Sequence, residues 1–72
     1  MSNKIEPLVS ICIPAYNVEN VLSEALHSIL HQTYQKIEII LVDDGSTDNT
    51  PDVAQSIVDD RIHYIRNKSN LG

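Results

Sequence analysis

Two short apolar runs, LVSICI at 8–13 and IEIILV at 37–42, each break off into polar, turn-forming sequence, and each is followed by a segment with helical spacing. Nearly unbroken β-branched runs of this length suit strands covered on both faces. Pro14 is expected to end the first strand. After it, Val18, Val21, Leu22, Ala25, Leu26, Ile29 and Leu30 share one helical face, with Asn17 placed to cap the helix and Glu19 near its positive end. The opposite face carries Asn20, Ser23, Glu24, His27, Ser28 and His31. After the second run, Thr50-Pro51 offers a capping hydroxyl and a proline at the first helical position. Val53, Ala54, Ile57 and Val58 form that helix's apolar stripe, Asp59-Asp60 close it, and RIHYIR at 61–66 reads as a third strand. The order β-α-β-α-β predicts an α/β fold with a three-stranded parallel sheet and right-handed crossovers.

Two such crossovers running in the same direction place both helices on one face of the sheet and leave the other bare. Yet both faces carry apolar residues: Ile37, Ile39 and Leu41 alternate with Ile40 and Val42, and Leu8 and Cys12 with Val9, Ile11 and Ile13. Something should therefore cover the second face, either later parts of a longer chain or a partner. A chain of 72 residues hides only about 60% of the surface it exposes when unfolded. The expected organisation is an N-terminal extension over 1–7 and, over 8–72, the first portion of a larger domain.

A formal charge of −5 disfavours attraction to nucleic acid or to an anionic membrane. The single cysteine, Cys12, cannot form an internal disulfide; within an apolar run it reads as a small buried hydrophobe in a reducing, cytoplasmic compartment. The N-terminus MSNKIEPL lacks a signal-type apolar stretch, and the longest apolar run is far too short to cross a bilayer. With only two glycines the chain can build neither a G-x-G-x-x-G turn nor a G-x-x-x-x-G-K-[ST] loop. A phosphoacceptor receiver would need carboxylates at the end of strand one, where this chain has PAYN. His27 and His31 have the spacing of a helical metal pair but no third ligand, which favours solvated surface histidines. His63 has no partner that the sequence can name.

Two strand ends remain, PAYN and VDDGS, side by side at the carboxyl edge of the sheet where open α/β folds bind ligands. A helix start following VDDGS would attract a phosphate, but two adjacent carboxylates argue for more than a phosphate cradle. Aspartates before Gly-Ser are more often turn formers than ligands. Their pairing with PAYN reverses those odds: Tyr16 supplies an aromatic plate, and an ionised aspartate accepts but cannot donate, which favours uracil, with its N3–H, over cytosine. Because successive strand residues face opposite ways, only one of Asp43 and Asp44 should point at such a base.

The stretches VSICIPAYNVENVLSEALHSILHQTY and IEIILVDDGSTDNT, in this order, resemble the opening of the family 2 glycosyltransferases over roughly residues 8–72. The resemblance implies a Rossmann-like GT-A fold and an inverting enzyme that moves a sugar from a nucleotide-diphosphate donor, usually UDP, to a hydroxyl acceptor. It implies that Pro14, Ala15 and Tyr16 line the nucleotide pocket, that Asp44 takes the base N3–H, that Asp43 supports the turn or the ribose side, and that Glu19 and Ser46 lie at the rim. The family's D-x-D site for Mn²⁺ or Mg²⁺, its catalytic base and its acceptor region would fall beyond Gly72, where NLG is similar to the start of a further family segment. These residues would then be the nucleoside-binding half of the enzyme, inactive alone, serving a nucleotide-sugar donor and a saccharide or lipid-linked acceptor, with membrane association of the parent left open. The rival expectation is a noncatalytic module that docks a partner on its bare sheet face. A sugar-nucleotide-forming nucleotidyltransferase would need a Gly-rich, Arg-bearing loop after strand one, which PAYNVEN is not.

Overall fold

Alternation is strictest in the central run, where Ile37, Ile39, Leu41 and Asp43 are buried and Glu38, Ile40 and Val42 are half-buried. The computed structural model describes residues 6–67. It contains β1 (Val9–Ala15), α1 (Leu22–Leu30), β2 (Ile37–Asp43), α2 (Thr50–Ser56) and β3 (Ile62–Arg66). The strands are parallel and lie in the order β1-β2-β3, with Ile11 opposite Ile39, Ala15 opposite Asp43, and Asp43 opposite Arg66. Both helices pack on one face. Leu22, Leu26 and Leu30 of α1 and Ala54 of α2 join Ile37, Ile39 and Leu41 in the core, with Ile11, Ile13, Ile62 and Tyr64 at its margin. The α/β topology expected from the sequence is therefore the one observed.

Several boundaries differ from expectation, each for a local reason. β1 continues through Pro14 to Ala15. The amide of Val9 donates to Lys36 and the carbonyl of Ala15 accepts from Asp44, so odd-numbered residues face β2 and the missing N–H of Pro14 falls on the open edge. α1 begins only at Leu22, with Val21 at the cap position. Asn17 is not its cap but sits in the left-handed region at φ 54°, and a turn closed by Val21 N–H and Leu22 N–H on the Val18 carbonyl leads into the helix. Val21 and Ala25 are exposed, which narrows the buried stripe to Leu22, Leu26 and Leu30, with Ile29 beside it. In α2 the cap position is Asn49, one residue before Thr50, and the helix ends at Ser56 because Ile57 is extended. Val58 consequently lies beyond the helix and is 92% exposed rather than part of a stripe.

The second sheet face carries exposed Ser10, Cys12, Pro14, His63 and Ile65. Cys12 is thus exposed and not buried, because it points away from both helices. Glu38 lies between Ser10, whose hydroxyl donates to it, and His63 at 3.6 Å. At the amino end of the sheet, Arg61 grips Asp59 through two 3.0 Å bonds and also donates to Gln35 and to the Leu30 carbonyl, which it satisfies at the end of α1. Those bonds, first from the Arg61 side chain and then from its amide, hold the Asp59 carboxyl down to about 2. An open groove of about 600 Å³ runs past His27, His31, Ile57 and Arg61 at this end, away from the carboxyl ends of the strands. No helix among the described residues is long and apolar enough to cross a membrane.

Candidate functional site

Register places the carboxyl ends of β1 and β2 level, and the two turns that leave them are tied together by hydrogen bonds. The Asp44 amide donates to the Ala15 carbonyl at 2.9 Å, joining Asp44 directly to the residue before Tyr16. Beyond that point most ties run from an amide of one turn to a side-chain oxygen of the other. Asn17 N–H donates to Ser46 Oγ at 2.9 Å, Val18 N–H to Thr50 Oγ1 at 2.8 Å and Glu19 N–H to Asp48 Oδ2 at 3.3 Å. In return, Asn17 Oδ1 accepts from the amides of Thr47 at 2.8 Å and Asp48 at 3.3 Å, and Glu19 Oε1 accepts from the amide of Asn49 at 2.9 Å. Asparagine tolerates positive φ better than most residues, and here that backbone aims its amide oxygen into the facing turn.

Asp43 belongs to the core side of β2 and is 0% exposed. Its Oδ1 accepts from Ser46 N–H at 2.8 Å, and its Oδ2 accepts from Tyr64 Oη at 2.7 Å and from Arg66 Nη1 at 3.2 Å. Burial pushes the Asp43 carboxyl up, but the bonds from Ser46 and Tyr64 and the charge of Arg66 outweigh it and hold the carboxyl below its ordinary 3.8. Burial and the same bond push the Tyr64 phenol up. Among the described residues every buried side-chain polar atom has a hydrogen-bond partner. Asp43 is therefore a structural anion whose oxygens are occupied within the protein.

Asp44, just past the end of β2, is half-buried, and Asn67 Nδ2 lies 3.4 Å from its Oδ1. Tyr16, the residue that follows β1, is 44% exposed. Pro14 is exposed on the bare sheet face, and Ala15 is 3% exposed, so its contribution to the junction is its carbonyl. Ser46, expected at the rim, is 3% exposed inside the junction, and Glu19 is likewise engaged in tying the turns together. Of the residues singled out from sequence, the structure thus gathers Ala15, Tyr16, Glu19, Asp43, Asp44 and Ser46 around one junction and sets Pro14 at its margin. Sequence reasoning missed Asn17, Thr50, Tyr64 and Arg66. The last two could have been found from strand periodicity, since 62, 64 and 66 continue the face of 39, 41 and 43 once the register is known. Among the described residues no cluster of three or more His, Cys, Asp or Glu could hold a metal ion. Asp43, with its donors already in place, is no exception.

The sequence model described as "Glycosyl transferase family 2" matches residues 10–72. An "Uncharacterized glycosyltransferase" of Haemophilus influenzae is 48% identical over 68 residues, covering 92% of this chain and 21% of that protein. The "Putative teichuronic acid biosynthesis glycosyltransferase TuaG" of Bacillus subtilis is 41% identical, covering 93% of this chain and 27% of that protein. Among solved structures, the mannosyltransferase PcManGT of Pyrobaculum calidifontis, in complex with GDP-Man and Mn²⁺, superposes with a TM-score of 0.78 at 30% identity, over 89% of this chain and 20% of that one. The chain therefore spans only a fifth to about a quarter of the length of these relatives. The matched motifs, the β-α-β-α-β order and the superposition agree that this chain belongs to glycosyl transferase family 2 and shares the fold of part of a GT-A glycosyltransferase.

Proposed function

We propose that these residues form the nucleoside half of the donor site of an inverting glycosyltransferase that moves a sugar from a nucleotide diphosphate to a hydroxyl acceptor, with UDP as the donor nucleotide. The observation that carries this is the division of labour between the adjacent aspartates: Asp43 is consumed inside the protein, whereas Asp44 lies beside the β1 end that presents a half-exposed Tyr16. Tyr16 stacks on the base and Asp44 accepts the base N3–H, while Asn17, Glu19, Ser46 and Asp48 tie together the two turns that carry them. The solved relative carries GDP-Man and Mn²⁺. A divalent cation, Mn²⁺ or Mg²⁺, would stabilise the departing diphosphate, and a carboxylate would deprotonate the acceptor. Family membership favours this reading over the noncatalytic docking module, which would share the same bare sheet face. Calorimetric titration with UDP, GDP and CDP tests it. UDP should bind best, and Asp44→Ala should weaken it by about 10-fold or more, the worth of a hydrogen bond to a charged group. Unchanged UDP affinity in Asp44→Ala would refute the pocket assignment.

A further inference from the structure

β3 contributes to the site although it lies beyond β2 and belongs to neither sequence motif. Its residues 62, 64 and 66 share the face of 39, 41 and 43, and Arg66 stands opposite Asp43. The guanidinium forks. Nη1 donates to Asp43 Oδ2 at 3.2 Å and Nη2 donates to the Ser46 carbonyl at 2.9 Å. The same two residues are already joined from inside by the bond from Ser46 N–H to Asp43 Oδ1 at 2.8 Å. Asp44 and Gly45, the latter at φ 81°, are the only residues between these fixed points. The backbone on the amino side is pinned as well, since Asn67 N–H donates to the Asp43 carbonyl at 2.8 Å and Asp44 N–H donates to Ala15.

We propose that Arg66 is a positioning residue of the nucleoside pocket: it clamps both ends of the 43–46 turn and so sets where Asp44 stands, without contacting the nucleotide. This rests on the assignment of Asp44 to the base made above. Three features of the chemistry support it. A buried carboxylate needs a compensating charge, and Arg66 is the cation the structure pairs with Asp43. A planar fork can satisfy a carboxylate and a carbonyl at once, which a lysine ammonium on a flexible stem does poorly. Tyr64 Oη shares Oδ2 with Arg66, so the carboxylate cannot rotate away from Ser46 without losing several partners together.

The test uses the whole chain with Arg66→Ala and Arg66→Lys, titrated with uridine and with UDP, together with amide hydrogen exchange by NMR. Both variants should weaken uridine and UDP by the same factor, about 5- to 10-fold, and Arg66→Ala should have no further effect in an Asp44→Ala background. The Asp44 and Ser46 amides should exchange at least about 10-fold faster while those of Ile39 and Leu41 keep their protection. Arg66→Lys guards against an alanine variant that fails to fold. A loss confined to UDP would overturn the proposal by making Arg66 a phosphate contact. Unaltered exchange at Asp44 and Ser46 would overturn it, and so would an equal rise at every amide, which marks a general loss of stability. Should the unsubstituted chain bind neither uridine nor UDP, the nucleoside assignment fails instead, and the exchange measurements still decide whether Arg66 fixes the turn.

Discussion

Asn17 concentrates two demands on one residue: a backbone at φ 54° and an amide oxygen that serves the Thr47 and Asp48 amides. Asn17→Ala removes the acceptor and adds a left-handed penalty, so it should destabilise the chain by about 2–3 kcal/mol. Asn17→Gly, which keeps the backbone freedom, should cost about 1–2 kcal/mol. Asn17→Asp, which keeps the acceptor, should cost least; urea titration of the three variants checks the order. Asp43 makes the other residue-level prediction. Its folded value is depressed, so the stability it provides is present above the ordinary 3.8 and is lost as pH falls through that lower folded value. Asp43→Asn places an amide NH₂ against the Tyr64 and Arg66 donors or the Ser46 amide. It should cost about 2–4 kcal/mol at pH 7 and progressively less below about pH 4, read from denaturation midpoints across pH. Residue type alone could not reveal these roles. An asparagine after PAY suits a helix cap and a left-handed turn equally well, and of the adjacent aspartates only the structure tells which one ends β2 on its buried face.

The strands and helices themselves were legible because their apolar periods differ, two or unbroken for β1 and β2 and three-four for α1. Their ends were not. Val18 keeps helical spacing with Leu22 yet lies in the entry turn, because its amide goes to Thr50 Oγ1 on the far side of the junction. Pro14 reads as a terminator until β1 is known to be an edge strand whose even-numbered amides point outward. Val58 continues the stripe of α2 on paper, but the extended Ile57 carries it out of the helix. This difference is measurable by thermal or chemical unfolding. Leu26→Ala, at a fully buried position in the centre of α1, should cost about 2–5 kcal/mol, whereas Val58→Ser should stay within about 0.5 kcal/mol.

At the scale of the molecule, placing both helices on one face leaves Cys12 on the other, open to solvent. A thiol reagent should therefore modify Cys12 in the folded chain at a rate close to that of an unfolded peptide. Protection of the same thiol in a polypeptide of the relatives' full length would show this face covered there. The handedness of the crossovers made the one-sided arrangement readable in advance. The covering of the second face and the chemistry of transfer could not be read from a chain that spans 21% of a relative such as the Haemophilus influenzae protein.

The ties between the turns are mutual, amide from one and side-chain oxygen from the other, across about thirty residues of intervening sequence. Grafting PAYNVEN or DGSTDNT singly into another scaffold would leave amide donors and side-chain acceptors of the grafted turn alike without their partners. The two are exchangeable only as a matched set, while the outward surface of α1 that separates them is at liberty to diverge.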